Sequence, residues 1–226
     1  SSRGFSCLYA CLAVPHSAML RRRSIFLFAN GAWMQHRPAT RHALALIAAA
    51  PVMATIIGSV FNIWYNVSQV KPLLTDEQND VFQSAIFYYN VFAYPPLVGI
   101  WAGSVFSLRR VFKPLLDGES PNSLDQAQLA RARVRTINLP WHISAVMAVG
   151  WVLCIPALLV GLKQSSGEVD SRVLFHLPTS VIIAALITIT HAFFIVELLT
   201  ERLLFPVLFR DSSPSRVPGA VSLPLN

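Results

Sequence analysis

Four long apolar stretches constrain this chain more than any other feature. They cover residues 43–65, 86–108, 141–162 and 173–198. None contains Lys, Arg or Asp, and the one Glu among them, Glu197, lies at the end of the fourth. A bilayer core of ~30 Å is crossed by about 20 apolar residues in a helix. A soluble core helix of that length keeps a polar stripe for its solvent side, whereas these runs are apolar nearly all round. The expected fold class is all-α: a polytopic membrane protein forming a four-transmembrane-helix bundle. Composition agrees, since 54% of residues are hydrophobic and 13% charged, against about 25% charged in soluble domains. With a mean hydropathy of +0.52, disorder, a secreted disulfide scaffold and an ordinary soluble enzyme all fit poorly. Cys7, Cys11 and Cys154 have no metal-binding spacing, and an odd count gives no disulfide framework.

Charge orients the spans. Residues 1–41, 109–140 and 199–226 hold fifteen Lys/Arg, and the intervening segments 66–85 and 163–172 hold three. The positive-inside rule places both termini and the central loop in the cytoplasm, an N-in/C-in arrangement in the inner (plasma) membrane. Trp64, Tyr65, Tyr88, Tyr89 and Trp141 stand at run ends, where aromatic rings meet headgroups. The net charge of +7 follows from this topology and from attraction to anionic lipid. The bilayer is therefore an expected partner and nucleic acid is not, because no basic groove with stacking aromatics is visible.

The connecting segments carry helix-start signals. Thr75 and Gln78 have capping-box spacing, so a helix starting there can run into the second span. Ser123 and Gln126 match the same box, followed by a helix over 124–137 carrying Arg131, Arg133 and Arg135. Those arginines either enforce orientation or touch lipid phosphate or a downstream domain. Asn66-Val67-Ser68 matches a glycosylation sequon, but it lies too close to the membrane to be a good acceptor.

Within the runs stand Pro51, the pair Pro95 and Pro96, Pro156 and Pro178. Each can be a fixed packing kink, and Pro95 with Pro96 is the candidate hinge because two successive donors are missing. Small residues recur every four positions: Gly99, Gly103 and Ser107; Ala50, Ala54 and Gly58; Ala184, Thr188 and Ala192. Such faces allow close helix approach. The polar candidates inside the bilayer are His142, His191, Glu197 and Asn90, with Asn62, His42 and His176 beside them. His191 is the deepest histidine and the candidate for a helix-to-helix contact. No histidine spacing supports a haem or metal site, and no catalytic constellation is present, so no cofactor is expected in this chain.

Three regions follow: a basic segment 1–41, with 1–33 a possible leader and a start near Met34; a transmembrane domain 42–209; and a Ser-, Pro- and Gly-rich linker 210–226.

Several motifs together resemble the N-terminal membrane region of bacterial class III adenylate/guanylate cyclases. They are FNIWYN (61–66), YYNVFAYP (88–95), ARVRTINLPW (132–141), GW (150–151) and ITHAFFIVELLTERLLFPVLF (189–209), with PGAVSLPLN (218–226) similar to the segment leading onward. The resemblance implies a downstream HAMP relay and cyclase domain, and a homodimer formed through that domain. It carries no catalytic residue onto this chain, which lacks HAMP heptads and the cyclase metal-binding aspartates. The expected function is a membrane anchor and sensory input module that passes a signal through the fourth helix. The alternatives are a self-contained small transporter or haem/redox protein, and a purely structural anchor.

Overall fold

The computed structural model describes residues 38–165, 167–214 and 217. The expectations for residues 1–33, for Cys7 and Cys11, and for the segment 218–226 lie outside these described residues. Among the described residues there are helices and turns and no strand. Four helical stretches are long and apolar enough to cross a membrane: Ala43–Leu73, Asp76–Leu116, Leu139–Lys163 and Ser171–Leu208. The shortest has 25 residues, which at 1.5 Å per residue is ~37 Å and exceeds the hydrocarbon thickness. The chain is a multi-pass membrane protein.

In chain order the helices are α1 (Ala43–Tyr65), α2 (Asp76–Phe106), α3 (Arg109–Leu116), α4 (Gln126–Ile137), α5 (Leu139–Lys163), α6 (Ser171–Leu199) and α7 (Phe205–Leu208). A short turn, Pro38–Arg41, precedes α1.

The helix starts have local causes. The Thr75 hydroxyl accepts from the Gln78 backbone N–H at 3.2 Å, and the Gln78 side chain accepts from the Thr75 N–H at 3.2 Å. This capping box starts α2 well before its apolar run, ten residues upstream of 86. Gln78 is only 2% exposed, and its amide nitrogen donates to the Glu168 carbonyl at 3.4 Å, tying the two short loops together. The Ser123–Gln126 box does not form. Ser123 instead donates to the Ser120 carbonyl at 2.7 Å, and the Gln126 amide bonds the Pro121 and Leu124 carbonyls. These local bonds hold Pro121–Ser123 in a 3-10 turn and compete with helix formation. α4 therefore begins at Gln126, capped by Asp125 through the Ala127 N–H at 2.9 Å.

Two spans widen by one π turn, at Asn66–Val70 and at Thr200–Leu204. Each lies just before an X-Pro pair, Lys71-Pro72 and Phe205-Pro206. Proline has no N–H to donate and clashes with the carbonyl four residues back. Expanding the preceding turn moves that carbonyl aside, and the Lys71 and Phe205 N–H groups bond the carbonyls five residues back. By contrast, α2 stays continuous through Pro95 and Pro96, both exposed.

α6 is the hub. It packs extensively on α1 and α5, and α5 packs on α2, while α1 and α2 touch little. Two separate apolar cores result. The larger one joins Ile47, Trp101, Leu108, Leu139, Val196 and Leu208 at the arginine-rich end. The smaller one joins Val70, Phe82, Leu158, Leu162, Val173 and Leu177 at the short-loop end. Outward-facing side chains are large and apolar; Phe92 is 71% and Phe175 67% exposed. A contiguous apolar surface of this extent belongs against lipid.

At the short-loop end Asp170 caps α6, accepting from the Arg172 N–H at 2.8 Å and from its guanidinium at 2.8 Å. The Arg172 side-chain and backbone bonds hold the Asp170 carboxyl below its ordinary value. Because the folded value is lowered, the pair stabilises the helix start above the ordinary carboxylate range, and the effect is lost as pH falls through the folded value. Deuterium uptake at the Val173 amide, which bonds the Asp170 carbonyl at 2.9 Å, should rise as pH drops below about 4. After correction for intrinsic exchange, Asp170→Ala should be flat over the same range.

Candidate functional site

Amide side chains of α1, α2 and the π turn after α1 gather beside the seam that α1 and α2 leave open. On the α1 side, the Asn66 amide donates to Asn62 Oδ1 at 2.9 Å, and the Ser180 hydroxyl of α6 donates to Asn66 Oδ1 at 2.9 Å. Asn62 Nδ2 reaches Ser180 Oγ at 3.4 Å. Beside them the Tyr65 hydroxyl and His176 Nδ1 are 2.9 Å apart. The i, i+4 spacing of Asn62 and Asn66 puts both amides on one face, and the buried Ser180 bonds them to α6.

Facing this network is a cleft of about 460 Å³ between α1, α2 and α5. Its α2 wall carries Asn79, Gln83, Asn90 and Tyr94 at helical spacing, followed by Leu97 and Trp101. The amides of Asn79, Gln83 and Asn90 make no hydrogen bond among the described residues. The α5 wall is Ile143, Met147, Gly150, Trp151 and Cys154. The buried indole nitrogen of Trp151 also has no acceptor among the described residues. Lys71, at the short-loop end, is the only charged lining residue among the described residues. Asn79 and Gln83 precede the apolar run and Asn90 stands within it, where an unpaired amide is costly, so the cleft is suited to an uncharged partner that hydrogen-bonds.

Two contacts close the cleft at its sides. The Tyr89 hydroxyl donates to the Gly150 carbonyl, holding α2 on α5. The Trp101 indole donates to the Ala48 carbonyl at 3.1 Å, holding α2 on α1 at the arginine-rich end.

The sequence-singled residues separate into groups. Asn90 and Asn62 line the cleft. His142 is half-buried, edge-on to Trp101 with centroids 6.1 Å apart. His191 is exposed, and its Nδ1 donates to the Ile187 carbonyl of its own helix at 2.7 Å. Among the described residues it makes no hydrogen bond to another helix, because an i−4 carbonyl on the lipid side satisfies it. Glu197 is half-buried on α6, one turn from Glu201. Among the described residues no three His, Cys, Asp or Glu side chains converge.

The small-residue faces also divide. Ala50, Ala54 and Gly58 are buried, as are Ala184, Thr188 and Ala192. A Cβ on Gly58 would lie 1.9 Å from Thr188 Oγ1 and 2.9 Å from the Ala184 carbonyl, so these two faces meet. Gly99, Gly103 and Ser107 are exposed, and a Cβ on either glycine meets nothing within 4 Å. Among the described residues Gly99 and Gly103 pack against no other helix, because the inner face of α2 is the one carrying Trp101 and Val105. Ser107 has another partner: the Arg135 guanidinium donates to its hydroxyl.

Asn79 and Gln83 were not apparent as site residues, since they read as loop polarity. The periodicity 79, 83, 86, 90, 94 was the available signal, once the capping box extended the helix back to Asp76.

No protein-family model, curated protein or solved structure matches the chain.

Proposed function

We propose that the chain is a membrane anchor and input module of a signalling protein, with its arginine-rich end in the cytoplasm. The observation that carries this reading is the unsealed, amide-lined cleft beside a fourth span that continues to the far end. α1 lies against α6 through Gly58 and Thr188, so a ligand that changes the α1–α2 spacing also loads α6. α6 runs on through its π turn into α7, where Arg133 holds the Leu208 carbonyl at 2.9 Å. An uncharged amphiphile with a hydrogen-bonding head suits the lining. Such a ligand transmits a signal only if it binds the two arrangements of the bundle unequally. The motifs 61–66, 88–95, 132–141 and 189–209 extend the proposal to a class III nucleotide cyclase as the output. A reading frame encoding no cyclase domain beyond residue 226 would remove that extension.

A transporter for a small uncharged solute is the second reading, favoured by the free amides on α2. Spin labels separate the two. Labels replacing the exposed Val60 and Phe87 report the α1–α2 spacing, and one replacing the exposed Arg202 reports the exit of the fourth span. In nanodiscs of native lipid extract, compared with pure phosphatidylcholine, the input module should change both readouts together. A change confined to 60 and 87 would leave binding or transport without transmission. No change at either would leave an anchor alone.

A further inference from the structure

The arginine-rich end holds a second concavity, of about 790 Å³, independent of the cleft and of the function proposed for it. Two segments far apart in sequence build it. Arg41 and His42 come from just before the first span, and Arg109 and Lys113 from α3. Asp117 is the one acid in the lining among the described residues. Arg41, Arg109 and Lys113 make no ion pair or hydrogen bond with their side chains among the described residues. Cations that merely orient a membrane protein need only lie on the correct side; they do not need to converge on one hollow.

We propose that this hollow binds the phosphate headgroup of an anionic membrane phospholipid. Three observations favour a lipid as the source of the phosphate. The site lies at headgroup depth, since Arg41 and His42 immediately precede the apolar run that opens at Ala43. Its remaining wall is apolar, with Leu44 buried in the core behind it and Ala45 and Phe106 exposed on the outer side. α3 is amphipathic, burying Val111, Phe112 and Leu115 while exposing Arg109 and Lys113, so it rests on the bundle and presents its cations at the rim. Basic hollows between spans recognise anionic headgroups in this way.

The test is lipid retention by the whole chain, released from nanodiscs and read by native mass spectrometry. The wild type should retain phosphatidylglycerol in preference to phosphatidylcholine. The triple variant Arg41→Gln, Arg109→Gln, Lys113→Gln should lose that preference by roughly tenfold to a hundredfold, three cations near the surface being removed. A control of equal charge change, Arg110→Gln, Arg131→Gln, Arg202→Gln, uses exposed cations outside the hollow and should keep it. Equal losses in both triples would mean diffuse attraction and would overturn the proposal. So would unchanged retention in the first triple. Glycerol phosphate held as tightly as the lipid would mark a site for soluble anions and would also overturn it. If the triple does not fold, Arg109→Gln alone should lower retention in the same direction, and no loss there counts against the site.

Discussion

Gly58→Leu should force the first and fourth spans apart. Even the first added carbon would sit 1.9 Å from Thr188 Oγ1 and 2.9 Å from a backbone carbonyl that cannot move independently of α6. Overpacking a tight contact costs about 1–3 kcal/mol, and here the obstacle is partly main chain. The midpoint of thermal unfolding in detergent, followed by circular dichroism, should fall clearly. Gly103→Leu adds the same volume where nothing lies within 4 Å and should leave the midpoint unchanged. Thr188→Ala removes the nearest clashing atom and should return part of the loss. By itself it should be neutral or slightly stabilising, because the Thr188 hydroxyl is buried without a partner among the described residues. Equal midpoints for the Gly58 and Gly103 variants would refute the α1–α6 contact.

Arg133→Ala should release the exit of the fourth span. The Arg133 side chain is only 14% exposed. Its Nε donates to the Leu208 carbonyl at 2.9 Å, its other end pairs with Asp211, and its guanidinium lies 5.7 Å from the centre of the Phe209 ring. A hydrogen bond to a charged group contributes about 1.5–3 kcal/mol, and a cation–π contact about 0.5–2 kcal/mol more, the upper end applying where it is desolvated. Hydrogen–deuterium exchange over 204–211 should quicken, with the short-loop end unaffected. Lysine at 133 should recover only part, since a point charge cannot bond a carbonyl and a carboxylate with one planar fork. Asp211→Asn should do less, because that carboxylate is 45% exposed. Unaltered exchange at 204–211 in Arg133→Ala would show that the exit is held elsewhere.

The spans were readable from hydropathy because lipid imposes one criterion on every outward position. Their ends were less so. α2 starts at Asp76 in a segment of low hydropathy, and only the Thr75–Gln78 box marks it. The same four-residue pattern at Ser123 misleads, since Ser120 and Pro121 supply nearer acceptors. Small-xxx-small spacing identified three faces and could not tell which were inward. For α1 and α6 the inward face is the small one, and for α2 it is the aromatic and amide one. Asn62 and Asn90 stood out because polar groups in apolar runs are rare, yet their cleft depends on which helices fail to touch. That property belongs to the assembled bundle and is written at no single position. His191 stood out for the same reason and instead bonds its own helix.

Three seams join the four spans: α1 with α6, α6 with α5, and α5 with α2. A ring of four rods sealed along three edges, with the fourth pinned at the arginine-rich end by the Trp101 bond to Ala48, has one soft mode, a clasp-like opening of that fourth edge beyond the pin. Lateral pressure, membrane thickness and any inserted molecule would all act on that single coordinate, so agents with nothing chemically in common should produce the same movement.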